Sequence, residues 1–155
     1  MPGLLIIAHA PLASSLKAVA EHTFPECARV LQALDVSPEM SLEDIEASAR
    51  ELLDKVRSEA NPEALIFTDV FGATPCNAAQ RLASSVEGAQ IKVVAGVNVP
   101  MLWRSLCYAD EPLDLLVARA VAGATQGVMQ VAVTRPQNQA FKPGANDQGQ
   151  RSHQQ

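Results

Sequence analysis

Residues 3–24 read GLLIIAHAPLASSLKAVAEHTF, and this stretch predicts a strand, a short loop and a helix in that order. Residues 3–8 form a continuous apolar run, which is typical of a strand that is covered on both faces of a parallel sheet. The run ends at His9, and residues 12–24 then alternate polar and apolar side chains in a helical manner. The sequence therefore places a histidine in the loop between the first strand and the first helix.

The same strand-loop-helix unit recurs along the chain. A helix begins at Ser41, whose hydroxyl can pair with Asp44 in a capping box, and a second begins with Pro75 in its first turn. Further helices follow the fourth strand and carry leucines and valines at helical spacing. The later strands are predicted over residues 28–35, 64–68 and 91–95.

Short apolar strands that alternate with helices indicate an α/β fold, with a mostly parallel sheet and helices on both of its faces. Residues 128–133 are a candidate fifth strand at one edge. Residues 135–155 are polar, rich in Gln, Pro and Gly, and lack apolar periodicity, so we expect a disordered tail. Residues 1–134 are then a single domain.

Composition excludes several classes of function. The net charge of -5 argues against a nucleic-acid partner, which would require a basic stripe, and favours basic protein surfaces as partners. No stretch reaches the ~20 apolar residues of a membrane span, and the first residues lack the basic segment of a signal peptide. The three cysteines are widely separated, so we interpret them as reduced thiols, mostly in the core. These features predict a cytoplasmic protein that is not inserted in the membrane.

Three loops are expected to meet where ligands bind in an open α/β sheet, at the carboxyl ends of the strands. The first loop contains His9, and the third strand is followed by Asp69, Gly72 and Thr74. The fourth strand is followed by Asn98 and Pro100. The other two histidines, His22 and His153, fall late in a helix and in the tail, where we expect solvated side chains.

Asp69 is the natural acceptor for one ring nitrogen of His9, which would leave the other nitrogen as a nucleophile. That nitrogen could take a phosphoryl group, with helix N-terminal N–H groups and the Thr74 hydroxyl as donors, although Pro11 removes one such donor. The residues alone leave simpler interpretations open. His9 could be a hydrogen-bonded loop histidine, Asp69 a cap of a turn or helix, and Gly72 a residue required by backbone geometry.

The sequence lacks the motifs of nucleotide-binding, magnesium-binding and serine hydrolase sites. The chain has neither a P-loop nor a G-x-G-x-x-G after its first strand, and no evident carboxylate cluster for magnesium. Ser14 and Ser15 lie near His9 in sequence, but neither stands in a G-x-S-x-G elbow, which disfavours a serine hydrolase. We therefore predict neither a metal nor another cofactor.

Three blocks of the sequence resemble the mannose-type enzyme IIA components of bacterial sugar phosphotransferase systems. They are LIIAH at residues 5–9, TDVFGATPCNAA at residues 68–79 and AGVNVPML at residues 95–102. Together they place the resemblance over residues 3–130. The chain departs from the family pattern at Ala10 and Pro11, where glycine usually follows the histidine, and at Ala73, where a second glycine is common.

The resemblance implies a flavodoxin-like sheet and a phosphohistidine at His9, with Asp69 orienting the ring. It implies phosphate binding by Thr74 and Gly72, and a site lined by Ala10, Phe71, Asn98 and Pro100. The implied partners are the histidine phosphocarrier protein as donor and an enzyme IIB as acceptor. A homodimer is also implied, and in some members of the family an antiparallel edge strand is exchanged between the subunits.

Three alternatives stay open at this stage. The same phosphohistidine chemistry could serve a regulatory relay or a dihydroxyacetone kinase pathway without sugar transport. A flavodoxin-like module could bind a nucleotide or flavin, with Trp103 and Tyr108 as stacking candidates. A hydrolase would need a serine within reach of His9. These motifs do not identify the sugar that a transport system of this type would carry.

Overall fold

The structure is a computed structural model that describes residues 1–87 and 90–133, with residues 27–28 described by their backbone alone. Four strands alternate with five helices, and a 3-10 turn (Cys27–Val30) precedes the second strand. The strands are β1 (Gly3–His9), β2 (Leu31–Val36), β3 (Ala64–Thr68) and β4 (Ile91–Ala95). The helices are α1 (Leu12–Thr23), α2 (Leu42–Val56), α3 (Thr74–Ser85), α4 (Val99–Cys107) and α5 (Leu113–Gln126).

All four strands are parallel and lie in the order β2-β1-β3-β4. This order is the beginning of the flavodoxin-like 2-1-3-4-5 arrangement, so the predicted α/β class is confirmed. The central strand β1 pairs with both β2 and β3, and Ile6 lies opposite Ala33 on one side and Phe67 on the other. The carboxyl ends of β1 and β3 are therefore adjacent.

The sheet separates two apolar layers, and alternate residues of β1 point into each. Leu4, Ile6 and Ala8 pack with α1, α4 and α5, whereas Leu5 and Ile7 pack with α2 and α3. Every residue of β1 except His9 is buried. This alternation explains why the strand is a continuous apolar run rather than a polar-apolar repeat.

Two helices begin with the side-chain caps that fix their starting points. The Ser41 hydroxyl accepts a hydrogen bond from the backbone N–H of Asp44 at 3.1 Å, as the capping pattern predicts. The Asn98 side chain accepts a hydrogen bond from the backbone N–H of Met101 at 2.9 Å. These bonds satisfy N–H groups that have no partner inside the helix.

Two features differ from the sequence-based expectations. Residues 128–133 are not an edge strand, because no strand of the described chain lies beside them, and Val128, Met129, Val131 and Val133 are exposed instead. Cys107 is exposed, whereas Cys76 is buried in the core as expected. The predicted tail, residues 135–155, lies outside the described residues. Within the described part, no helix has the length and apolarity to cross a membrane.

Candidate functional site

His9 and Asp69 form a hydrogen-bonded pair at the carboxyl edge of the sheet. His9 is the last residue of β1, and Asp69 directly follows β3, the neighbouring strand. The ring nitrogen Nδ1 of His9 lies 2.6 Å from Oδ2 of Asp69, and the backbone N–H of His9 donates to the same oxygen at 3.0 Å. The other oxygen, Oδ1, accepts the backbone N–H of Val70 at 2.9 Å. The structure thus joins the two residues that the sequence analysis put first.

The hydrogen bonds around Asp69 keep it ionised. Partial burial raises the pKa of the Asp69 carboxyl, but the backbone and ring hydrogen bonds from His9 and the backbone bond from Val70 lower it further, so the net pKa lies below its ordinary value. An ionised carboxylate can only accept hydrogen bonds, so Nδ1 of His9 must carry the ring proton. In the neutral imidazole, Nε2 is then left with a free lone pair.

The free side of the His9 ring is open to solvent. The His9 side chain is 54% exposed, whereas that of Asp69 is 13% exposed. Beside the ring lies a cavity of about 280 Å³. Its lining residues come from the ends of β1 and β2, the loop after β2 and the start of α3: His9, Ala10, Val36, Ser37, Pro38, Met40 and Thr74.

Thr74 joins this cavity as the first residue of α3. The residue before it, Ala73, provides no side-chain cap, and Pro75 has no N–H group. The Thr74 hydroxyl and the unpartnered N–H groups of this first turn are donors suited to an anion. The predicted phosphate-binding role of Thr74 stays a prediction, with a position beside His9 that fits it.

Gly72 and Phe71 lie in the turn between Asp69 and α3. Gly72 has a φ of +85°, and no atom lies within 4 Å of where its Cβ would be, so the glycine serves the backbone conformation rather than a close contact. Phe71 is 76% exposed and Val70 is 51% exposed. The turn therefore presents an apolar surface directly after Asp69.

Asn98 and Pro100 are not among the residues that line the His9 cavity. The Asn98 side chain caps α4 and donates to the carbonyl oxygen of Ala124 at 3.3 Å. The loop after β4 acts on the site through its backbone instead. The N–H of Gly96 donates to the carbonyl oxygen of Asp69 at 3.1 Å, and this bond holds the segment that carries the carboxylate.

The loop after β2 contributes residues that the sequence analysis did not select. Ser37 and Met40 line the cavity, and Asp35 binds the first turn of α1 through Ser14. The sheet order explains the omission, because β2 lies directly beside β1 and its carboxyl end meets the same edge. A β2 boundary one residue later would have placed Val36 and Ser37 there.

The alternatives gain no support from the described residues. Ser14 donates to Asp35, and Ser15 donates to the carbonyl oxygen of Pro11, so neither hydroxyl is bound to His9. Trp103 and Tyr108 do line a groove of about 440 Å³, but it lies along α4 and α5 and excludes His9. His22 is exposed in the last turn of α1, and His153 lies outside the described residues.

Comparison with known proteins shows which family the sequence matches. A family model for EIIA-man, described as the PTS system fructose IIA component, matches residues 3–121. The PTS system mannose-specific EIIAB component of Escherichia coli (strain K12) is 36% identical over 83 residues, which are 52% of this chain and 25% of that protein. The matched part thus spans about a quarter of the length of this curated relative.

Solved structures agree on the fold. The phosphotransferase system component EIIA from Streptococcus agalactiae superposes with a TM-score of 0.75 at 22% identity, covering 84% of this chain and 97% of that one. The mannose/sorbose specific IIA subunit of the phosphotransferase system from Enterococcus faecalis gives 0.74 at 24% identity, covering 86% and 97%. At these identities the likeness bears on the fold alone.

Proposed function

The chain belongs to the EIIA-man family of PTS components, and from that premise we propose that it is a phosphoryl carrier that holds the phosphoryl group on His9. The donor is the histidine phosphocarrier protein, and the acceptor is an enzyme IIB. The observation that carries the proposal is the 2.6 Å contact between Nδ1 of His9 and an ionised Asp69. In the neutral ring this contact leaves the Nε2 lone pair free, on a side chain that is 54% exposed.

The transfer step follows from this geometry. The Nε2 lone pair attacks the phosphorus of the donor phosphohistidine, the donor P–N bond breaks, and a new P–N bond forms at Nε2. The proton stays on Nδ1, so the phosphorylated ring is cationic and is stabilised by the Asp69 carboxylate. Donor and product have similar bonds, so alignment and charge balance at an open site suffice, without a cofactor.

Partner access supports a protein donor rather than a small molecule. The exposed ring and the exposed Phe71 and Val70 beside it permit the approach of another protein's histidine. The acidic net charge of -5 favours basic partner surfaces. We assign this exchange to the cytoplasm, where both partners would meet the chain.

We also propose a homodimer. Val128, Met129, Val131 and Val133 are 70–97% exposed, and β4 is an edge strand with no neighbour on its outer side in the described chain. An exposed apolar segment and an unpaired strand edge are complementary to each other. A second copy can supply the segment to the edge, which would complete the sheet and cover the apolar side chains.

The carrier role is tested by intact-mass analysis after incubation with phosphoenolpyruvate, enzyme I and the histidine phosphocarrier protein. We expect one acid-labile phosphate on the wild type and on His22→Ala, which removes an exposed histidine of α1, and none on His9→Ala. Addition of an enzyme IIB should then remove the phosphate. An unmodified wild type, with a control acceptor phosphorylated in the same mixture, would contradict the proposal.

A further inference from the structure

Two helices begin close to His9, and their N-termini differ in whether a carboxylate binds their first-turn N–H groups. The first turn of α3 has no side-chain cap and opens into the His9 cavity through Thr74. The first turn of α1 begins at Leu12, three residues after His9, and also lacks a cap from its own N-cap residue, Pro11. A helix N-terminus carries a partial positive charge, so both would attract a phosphoryl dianion.

The N-terminus of α1 is occupied by a carboxylate from a neighbouring strand. Oδ1 of Asp35 accepts the backbone N–H of Ser14 at 3.0 Å, and Oδ2 accepts the Ser14 hydroxyl at 2.5 Å. Asp35 is the residue before Val36 in β2, and it lies opposite Ala8 in the sheet, one residue before His9. The charged cap therefore lies on β2, the strand next to the one that ends at the reactive histidine.

The same end of β2 holds the loop that joins His9 to α1. The backbone N–H of Ala10 donates to the carbonyl oxygen of Val36 at 3.0 Å, and the Ser15 hydroxyl donates to the carbonyl oxygen of Pro11 at 2.7 Å. This loop has only two residues, so the position of α1 and the position of His9 are coupled. A hydrogen-bonded connection of two residues thus joins the helix capped by Asp35 to His9.

We propose that Asp35 is a positioning residue that closes the N-terminus of α1 to the phosphoryl group and directs the phosphorylated His9 toward the N-terminus of α3. Its negative charge cancels the attraction that α1 would exert on a dianion. The phosphohistidine is consequently less stable than it would be beside two open helix ends, and it is passed on more readily. This inference rests on the proposed carrier function and adds a determinant of its transfer equilibrium.

The equilibrium between the donor and His9 reports this effect directly. The donor P–N bond breaks and the bond to Nε2 forms, with the Nδ1 proton unmoved, so the ratio of the two phosphoproteins measures the relative stability of phospho-His9. An equilibrium constant does not depend on how the partners dock. A change in contact with the donor surface would alter the rate of transfer but leave this ratio unchanged.

Three variants of the full chain separate charge from hydrogen bonding. Asp35→Asn removes the charge while its carbonyl still accepts from the Ser14 N–H and its amide can donate to the Ser14 hydroxyl. Ser14→Ala removes the hydroxyl and keeps the charge. Asp110→Asn makes the same charge change at an exposed residue that follows α4 and makes no hydrogen bond to Ser14 or His9.

The measurement is the phosphorylated fraction of each variant, determined by intact mass at equilibrium with a fixed pool of phosphorylated histidine phosphocarrier protein. Circular dichroism confirms that each variant is folded. We expect Asp35→Asn to shift the equilibrium toward phospho-His9 by about two- to fivefold, the size of a charge effect at a helix end. Ser14→Ala and Asp110→Asn should leave the equilibrium at the wild-type value.

Three results would overturn the inference. An Asp35→Asn equilibrium equal to that of the wild type would show that the carboxylate has no influence on phospho-His9. An equal shift in Ser14→Ala would assign the effect to the hydrogen bond, and an equal shift in Asp110→Asn would assign it to net charge. A wild type that takes no phosphate at all would instead contradict the proposed function, so the two failures are distinguishable.

Discussion

At the scale of single residues, the two nitrogens of the His9 ring have different surroundings. Nδ1 contacts Asp69, while the opposite side of the ring is exposed next to the cavity that contains Thr74. This asymmetry gives each neighbour a separate task. In the proposed mechanism, Asp69 fixes the tautomer and balances the positive charge of the phosphorylated ring, and Thr74 provides a donor for the phosphoryl oxygens.

Removal of the Asp69 charge should disable the histidine without removing it. The amide of Asp69→Asn can donate to Nδ1, which would move the ring proton to Nε2 and occupy the nucleophilic lone pair. We expect the single-turnover rate of phosphoryl transfer to fall by at least about a hundredfold, as in other sites where an aspartate orients a histidine. A folded Asp69→Asn variant that transfers at the wild-type rate would contradict this role, and Asp110→Asn is the control for net charge.

The Thr74 hydroxyl should matter through its hydrogen bond rather than its volume. Thr74→Val keeps the shape of the side chain and removes the donor, so we expect phosphoryl transfer to slow by about tenfold, the effect of a lost hydrogen bond to a charged group. Thr74→Ser should recover most of the rate. Rapid-quench measurement of transfer tests both variants, and equal rates for the valine and serine variants would exclude a role for the hydroxyl.

Sequence reasoning brought His9 and Asp69 together because His9 ends one short apolar run and Asp69 follows another, and the two runs are adjacent strands. It did not anticipate that Asn98 caps α4, because the same amide can line a site or cap a helix, and only the position of the α4 N–H groups reveals the cap. Ser37 was missed for a different reason. The cavity depends on which strand lies beside β1, and the sheet order is not visible in a local pattern.

At the scale of elements, the accuracy of the predicted boundaries follows burial. The strand β3 is buried at every position, and its bounds agree with its apolar run. The strand β2 is buried only at its two ends and follows the 3-10 turn at Cys27–Val30, so the sequence shows no sharp start, and the predicted strand began too early. The helix α2 was well defined because an apolar stripe and a capping serine agree.

The cap of α2 makes a measurable contribution to stability. Ser41→Ala removes the acceptor for the Asp44 N–H, and we expect the free energy of unfolding to fall by about 1 kcal/mol. Ser84→Ala is the matched control, because that hydroxyl bonds only to the Gln80 carbonyl oxygen within its own helix. Urea unfolding of both variants measures the difference. Equal decreases in the free energy of unfolding would show that the cap does not stabilise the protein more than an ordinary hydroxyl within a helix.

At the scale of the whole molecule, the described chain leaves the outer edge of β4 unpaired, as it does that of β2 at the other end of the sheet. The outer edge of β4 has no neighbouring strand among the described residues, and the exposed apolar residues 128–133 follow α5. The sequence predicted a strand in this segment, and it pairs with no strand partner among the described residues. A dimer would provide one.

Charges in this segment should therefore separate the dimer. We expect the wild type to sediment as a dimer and the double variant Met129→Lys/Val131→Lys to sediment as a folded monomer, because two lysines would be buried against the apolar edge. Val19→Lys, at an exposed valine of α1, is the control and should stay dimeric. A double variant that remains dimeric at the same concentration would place the interface elsewhere.

The most direct test of the central claim is to identify which nitrogen of His9 carries the phosphoryl group. Nuclear magnetic resonance of the 15N-labelled, phosphorylated protein distinguishes the two ring nitrogens through coupling to phosphorus and through the attached proton. The hydrogen bond from Nδ1 to Asp69 predicts phosphorus on Nε2 and a proton on Nδ1. Phosphorus on Nδ1, or on any residue other than His9, would contradict the account.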